Sequence, residues 1–264
     1  MIRLGPAGNC DGNILLSLMR LKNELGLQAQ EVEFTFGVMM SNGTAEKVGE
    51  LRKKLGLELS VHAPYYINLS SEDKEKVRRS FSWLLLSCER GHYMGAKDVV
   101  FHPGFYSKRN PDKVFDVVLS NIKEVQDKIK IKGWDVRLSP ETTGKSSAFG
   151  SFDEVLRLVK DAKCGFCVDF AHLYARQQGK IDFAEVLDKL KKFKHVHSHF
   201  SGIQFTDKGE RNHLNIGDGG PSFKSLAEEL LRRDIDITII CESPSTWADS
   251  LRMKEVFQGL GYKF

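Results

Sequence analysis

Cys164-Gly165-Phe166-Cys167-Val168-Asp169-Phe170-Ala171-His172 is the stretch from which the fold can be read. It has the apolar character of a short buried strand, stops at a carboxylate and an imidazole three residues apart, and soon gives way to a helical pattern. By itself a D-x-x-H pair is ambiguous. Asp at a strand end often caps a helix, and His is often no more than a satisfied hydrogen-bonding residue. What gives the pair meaning is recurrence: along the chain, strand after strand ends in a metal-type ligand.

Working outward from this stretch, short apolar runs alternate with longer segments of helical period in eight pairs. Strands are expected near 2–5, 31–36, 58–62, 98–102, 135–141, 165–169, 194–199 and 236–242. Helices are expected near 13–25, 44–56, 71–94, 111–130, 151–162, 182–192, 221–232 and 247–258. Apolar positions in the helical segments recur at three and four, as in Val114, Val117, Val118 and Ile122. Eight strand–helix units in 264 residues are the arithmetic of a (β/α)8 TIM barrel, an α/β fold. An open doubly wound sheet competes, but Gly5-Pro6-Ala7-Gly8 does not continue as the glycine fingerprint that follows its first strand. No linker rich in Pro, Gly or Ser divides the chain, so residues 1–264 are expected to form a single domain.

With 41% hydrophobic residues the chain can bury a full core, and a net charge of +4 with 28% charged residues neither requires nor excludes a polyanionic partner. Five cysteines, odd in number and widely spread, argue against a secreted disulfide framework. Cys164 and Cys167 make a lone C-x-x-C with no second pair, which reads as strand packing. The amino terminus lacks a signal-peptide pattern and no apolar run approaches the roughly 18 residues of a membrane span. A cytoplasmic monomer is the expectation, with no membrane partner.

The chemistry lies at the carboxyl ends of the strands. The third ends in Val61-His62-Ala63-Pro64, the fourth in Phe101-His102-Pro103-Gly104, and the fifth in Ser139-Pro140-Glu141-Thr142. The sixth ends in Asp169 and His172, the seventh carries His195, His197 and His199, and the eighth ends in Cys241-Glu242-Ser243-Pro244. In a TIM barrel this end holds the active site, and imidazole with carboxylate is a ligand set for zinc, manganese or iron. The polar, glycine-rich loop 208–220 could fold over the mouth and add His213. His62, His102, Glu141, Asp169, His172, one seventh-strand His, His213 and Glu242 are too many for one ion. Two or three are implied, with Glu141 as a bridge, and clustered metals suit phosphodiester hydrolysis. His195, His197 and His199 share one face by the two-residue period, so the pattern does not choose among them. His92, in a helical segment, is expected to be exposed.

The ordered motifs H-A-P-Y-Y-I-N-L (62–69), F-H-P-G (101–104), E-T-T-G (141–144), D-F-A-H (169–172), H-F-S-G (199–202), H-L-N-I-G-D-G (213–219) and E-S-P (242–244) resemble endonuclease IV. That is the apurinic/apyrimidinic endonuclease of the xylose-isomerase-like barrel superfamily. The resemblance runs from the third strand to the eighth and implies a trinuclear zinc site; two or three Zn2+ ions per chain are expected, with Mn2+ as the alternative metal. His62, His102 and Glu141 would serve the first ion, Glu141, Asp169, His199 and Glu242 the second, and His172 and His213 the third. The family pattern fits His199-Phe200-Ser201, so His199 is the expected seventh-strand ligand; by position on the strand, His197 is expected to support it and His195 to pack deeper. The implied reaction is DNA repair, hydrolysis of the phosphate 5′ to an abasic site in double-stranded DNA, with Glu141 catalytic.

Two departures stand out. Where the family has an Asp two residues before its equivalent of His213, this chain has Arg211, and Glu210 is the nearest carboxylate. The loop after the second strand lacks the family's DNA-intercalating Arg, leaving Met39 and Met40 as apolar wedges, with Tyr65 and Tyr66 at the family's other intercalating position. Lys108, Arg109, Arg176, Lys208 and Arg211 follow strand ends and are expected to contact the DNA backbone. Two other functions compete: a sugar isomerase or epimerase of the same superfamily with a single ion, and a non-catalytic damaged-DNA binder that has lost the third metal.

Overall fold

All eight expected strand–helix units form in the structure, a computed structural model that describes residues 1–264. The chain runs β1 (Ile2–Pro6), α1 (Ile14–Asn23), β2 (Ala29–Glu33), α2 (Asn42–Leu55), β3 (Glu58–His62), α3 (Lys74–Met94) and β4 (Asp98–Phe101). It continues through β5 (Gly104–Phe105), α4 (Pro111–Lys132), β6 (Arg137–Pro140), β7 (Ala148–Phe149), α5 (Phe152–Ala162), β8 (Cys167–Asp169) and α6 (Phe170–Arg176). The last third holds α7 (Phe183–Leu190), β9 (Val196–Phe200), β10 (Gly202–Thr206), β11 (Gly209–Leu214), α8 (Phe223–Arg233), β12 (Ile237–Cys241) and α9 (Thr246–Gly259).

The barrel is built from β1, β2, β3, β4, β6, β8, β9 and β12, all paired in parallel. Two four-stranded runs, β2-β3-β4-β6 and β8-β9-β12-β1, are joined by parallel bridges from Ala7 to Glu31 and from Glu141 to Cys167. Register then fixes which strand ends become neighbours: Glu33 pairs with His62 and Asp169 with His199. A core cluster of 56 buried residues fills the space between strands and helices. The helices are held at their ends by local chemistry. Ser151 and Glu154, for example, cap α5 reciprocally, side chain to backbone in both directions.

The second strand ends earlier than expected. Phe34-Thr35-Phe36 has strand-like residues, but Phe34 N donates to His62 O and Gly37 N to Phe34 O, closing a turn that throws Phe36 outward. The stretch 200–220, expected as a loop, contains the antiparallel hairpin β10–β11. His92, expected on the surface, is half-buried because its Nδ1 accepts from Asp135 N at 3.0 Å. No helix is long and apolar enough to cross a membrane.

Gly5 permits the close approach of β1 to β2. A Cβ there would lie 1.7 Å from the backbone oxygen of Ala29. Gly5→Ala is expected to destabilise the protein by about 1–3 kcal/mol through forced separation of the two strands, measured by urea unfolding.

Candidate metal centre

Strand ends build the site. His62 is the last residue of β3, His102 follows β4, Glu141 follows β6, Asp169 ends β8, His199 lies next to the end of β9, and Glu242 follows β12. Their side chains converge on the barrel axis around Glu141. Its Oε2 is 3.2 Å from Nε2 of both His62 and His102, and its Oε1 is 3.0 Å from His172 Nδ1 and 3.5 Å from His199 Nδ1. Three donor sets result: His62, His102 and Glu141; Glu141, Asp169, His199 and Glu242; Asp169, His172 and His213. Within each set the donor atoms lie within 4.8 Å of one another, and Glu141 and Asp169 each belong to two sets.

Three of the imidazoles have their tautomers set by backbone carbonyls, which can only accept. His62 Nδ1 donates to Ala63 O at 2.8 Å, His172 Nδ1 to Thr142 O at 2.9 Å, and His213 Nδ1 to Glu242 O at 3.0 Å. Each ring therefore turns its Nε2 into the cluster, as a metal donor once its proton is displaced. Nε2 of His172 and Nε2 of His213 face each other at 3.2 Å, an arrangement that needs a proton or a cation between them. Asp169 uses Oδ1 as the N-cap of α6, accepting from His172 N at 2.6 Å, and keeps Oδ2 free. Asp169 Oδ2, Glu141 Oε1 and both ring nitrogens of His199 are buried without hydrogen-bond partners. His199 Nδ1 does lie 3.2 Å from Glu242 Oε1, and its Nε2 2.7 Å from Glu31 Oε1, but out of line for hydrogen bonds. Unmet buried groups cost ~1–3 kcal/mol each, and divalent ions would satisfy these together. The donor set therefore fits metal.

Charge coupling among these groups outweighs their burial. Burial works against a charged His62, yet the hydrogen bond to Glu141 and the charges of Glu33 and Glu141 push it up to about 10. Glu242 is held at about 2, because His199 beside it more than offsets burial. Glu33 goes the other way: desolvation, with Glu31 and Glu242 nearby, pushes its carboxyl up to about 8.

The hairpin β10–β11 brings His213 over the mouth and turns Arg211 away from it. Its register shifts between Gln204 and Phe205, which pair with Asn212 and Glu210, so Arg211 is the extra residue of a β-bulge. The bulge leaves Arg211 exposed and aims Glu210 inward, where its Oε2 lies 3.4 Å from His172 Nε2. Gly144 makes the room: a Cβ there would come within 2.6 Å of Glu210 Cβ and 3.0 Å of His172 Cδ2.

Glu31 and Glu33 went unrecognised in the sequence. Glu31 is fully buried, and its Oε2 bonds His197 Nε2 at 3.0 Å. A signal was present: parallel barrel strands are buried on both faces, so two glutamates at alternate positions of β2 are out of place unless they serve a site. His197 supports the site through Glu31, while His199 is the one that reaches Glu141 and Glu242. His195 is not deeper packing. It lies at the opposite end of the barrel, partly exposed and bonded to Asp236 at 2.6 Å, because a parallel strand carries its early residues away from the mouth. Cys164 and Cys167 are buried and free, and Cys167 packs beside His197 and His199.

Around the mouth, a cavity of roughly 480 Å3 is lined by His62, Tyr65, His102, His172, His213 and Glu242. A second cavity of roughly 420 Å3 opens at the far end, where its charges are paired with each other, as in Arg137–Asp98 and Arg3–Asp236. Met39, Tyr65 and Tyr66 are exposed at 93%, 51% and 61%, and Phe36 and Phe105, unmarked in the sequence, add 80% and 44%. Met40 packs against the core instead of standing free. Lys108 and Arg211 are exposed, but Arg109 and Arg176 are committed to the protein. Arg109 donates to the carbonyls of Ser70 and Tyr106, and Arg176 to those of Thr143, Lys145 and Ala148, so both pin loops.

A family model described as the xylose isomerase-like TIM barrel matches residues 20–259. An uncharacterised protein of Methanocaldococcus jannaschii is 35% identical over 90% of this chain and 89% of its own. A probable endonuclease 4 of Mycoplasmopsis synoviae is 31% identical over 71% of this chain and 69% of its own. Among solved structures, endonuclease IV from Thermus thermophilus superposes with a TM-score of 0.73 at 23% identity, covering 98% of this chain and 99% of that one. A D-tagatose 3-epimerase-like protein gives the same TM-score, 0.73, at 22% identity, with 97% and 96% covered. The two superpositions show the same fold.

Protons and metal compete for these ligands. Since His62 holds its proton up to about 10 in the metal-free protein, ligation must displace it. Apparent metal affinity is expected to rise between pH 6 and 8 by about tenfold per unit for each proton displaced, read by calorimetry in buffers of different ionisation enthalpy. The raised pKa of His62 also means that its contribution to the metal-free fold is complete below about 6.5 and fades as pH rises through about 10, so thermal stability without metal should fall over that window.

Proposed function

This chain belongs to the xylose isomerase-like TIM barrel family, and we propose that within it the protein is a metal-dependent endonuclease of the endonuclease 4 type. It would hydrolyse the phosphodiester 5′ to abasic sites in double-stranded DNA with two or three ions, Zn2+ or Mn2+. The reading is carried by the three donor sets that share Glu141 and Asp169. The His172–His213 pair adds two donors beyond the four that one ion takes from Glu141, Asp169, His199 and Glu242. Clustered ions, once bound, supply water activation and charge neutralisation on the phosphate.

The chain's own residues do the rest. His62, His102 and Glu141 would hold the first ion, Glu141, Asp169, His199 and Glu242 the second, and His172 and His213, with Glu210 beside them, the third. Tyr65, whose ring lies 5.5 Å from that of His62 and 5.8 Å from that of His102, walls the cavity with an aromatic face. With Phe36, Met39, Tyr66 and Phe105 it forms an apolar rim able to stack against bases around an extruded nucleotide. Lys108, Lys208 and Arg211 remain free on the same side for phosphates. The five cysteines are free and buried, in keeping with a reducing, cytoplasmic compartment.

An epimerase is the second reading, favoured by Glu141, Asp169, His199 and Glu242, which by themselves form a one-ion site with paired carboxylates. Glu210, with Oε2 3.4 Å from His172 Nε2, weighs against the non-catalytic binder, whose motive was Arg211 at that place.

Elemental analysis is expected to find two or three ions per chain, and the loaded protein to nick a duplex with a tetrahydrofuran abasic analogue on its 5′ side. Glu141→Gln should abolish the nick. One ion, no nick and turnover of a ketose would establish the epimerase instead. Glu210→Ala is expected to weaken the third ion by roughly 10–100-fold in a competitive chelator titration, leaving the other two in place.

A further inference from the structure

We propose that Glu31, Glu33 and Glu242 form an additional site for a hard divalent cation, Mg2+ or Mn2+, on the β2 side of the barrel mouth. One carboxylate oxygen from each residue lies within 4.8 Å of the other two. Glu31 is 0% exposed, and its Oε1 has no hydrogen-bond partner, as is true of Glu33 Oε1. The ion-pair partners of Glu31 and Glu242 are all imidazoles; no arginine or lysine approaches the trio to neutralise it.

Geometry separates this group from the three sets already described. Glu31 and Glu33 stand two residues apart on β2, on one face of the strand, and Glu33 sits in register with His62. Their carboxylates therefore reach the cluster from the side opposite Asp169 and His172, and Glu242 is the one residue shared, as a bridging carboxylate. Donor chemistry separates it too. The neighbouring sets contain imidazole, which suits zinc, whereas this trio offers oxygen alone, the donor set of magnesium and manganese. Glu31 holds His197 with Oε2, which leaves Glu31 Oε1 and Glu33 Oε1 sealed without a hydrogen bond, and a cation among the three carboxylates would satisfy both. The site does not depend on which reaction the neighbouring sets serve.

Its test loads the whole protein with Zn2+, adds Mn2+, and locates both metals in crystals from anomalous differences at the two absorption edges, alongside a Mn2+ titration followed by electron paramagnetic resonance. The expected result is one Mn2+ per chain among Glu31, Glu33 and Glu242, beyond the zinc at the Glu141 sets. Glu33→Gln should weaken that Mn2+ at least tenfold with zinc content unchanged, and Glu33→Asp should retain weaker binding. Zinc at the Glu141 sets with no manganese signal beside Glu33, or Mn2+ binding unaltered in Glu33→Gln, would overturn the site. Absence of zinc from the Glu141 sets would instead count against the endonuclease reading, with the manganese signal judged separately.

Discussion

Like charges and lone pairs crowded onto the barrel axis are the constraint around which this structure is arranged. Glu141 is in the middle, within 3.5 Å of four imidazoles, with one oxygen that no protein donor meets. Bringing carboxylates and imidazoles out of water together is expensive. The fold tolerates it because the rest of the barrel is bound tightly by apolar packing, in a core of 56 residues that contributes no polar demands of its own. Backbone carbonyls complete the arrangement by holding Nδ1 of His62, His172 and His213, so that each Nε2 points inward.

Precision at the mouth depends on devices that contact no donor atom. Arg109 is used on the carbonyls of Ser70 and Tyr106, and Arg176 on three carbonyls and the hydroxyls of Thr143 and Tyr106, tying the loops that follow β3, β4 and β6. Gly144 leaves a gap into which Glu210 and His172 fit, and the bulge at Arg211 turns the hairpin by one residue to deliver Glu210 there. Rigid strands thus carry most of the candidate ligands, while the hairpin carries His213 and Glu210 and the loops after β2, β3 and β4 carry the exposed apolar rim. Such a division lets one barrel host different reactions: the Glu141, Asp169, His199 and Glu242 set lies at the strand ends, and what approaches it is decided by loops.

Much of this was legible in the chain itself. Periodicity placed every barrel strand and its helix, and the residue at each strand end announced the ladder from His62 to Glu242. Asp169 shows how two readings can hold together, since it caps α6 with one oxygen and offers the other to the cluster. Motif order separated His199 from His197, which the two-residue period could not.

What the sequence determined by itself was the alternation of elements and the chemistry at their ends, because both depend on short-range spacing along the chain. Tertiary structure decided the rest, where partners come from far apart. Glu31 acquires meaning when β2 closes against β1 and brings it to His197 and His199, more than 160 positions on. Arg211 and Glu210 exchange roles through a register shift that depends on β10. Phe36 stands out because a turn bonded to β3 throws it there, and His195 belongs to the far end because a strand has a direction. Each of these is set by pairing and closure, which no local pattern contains.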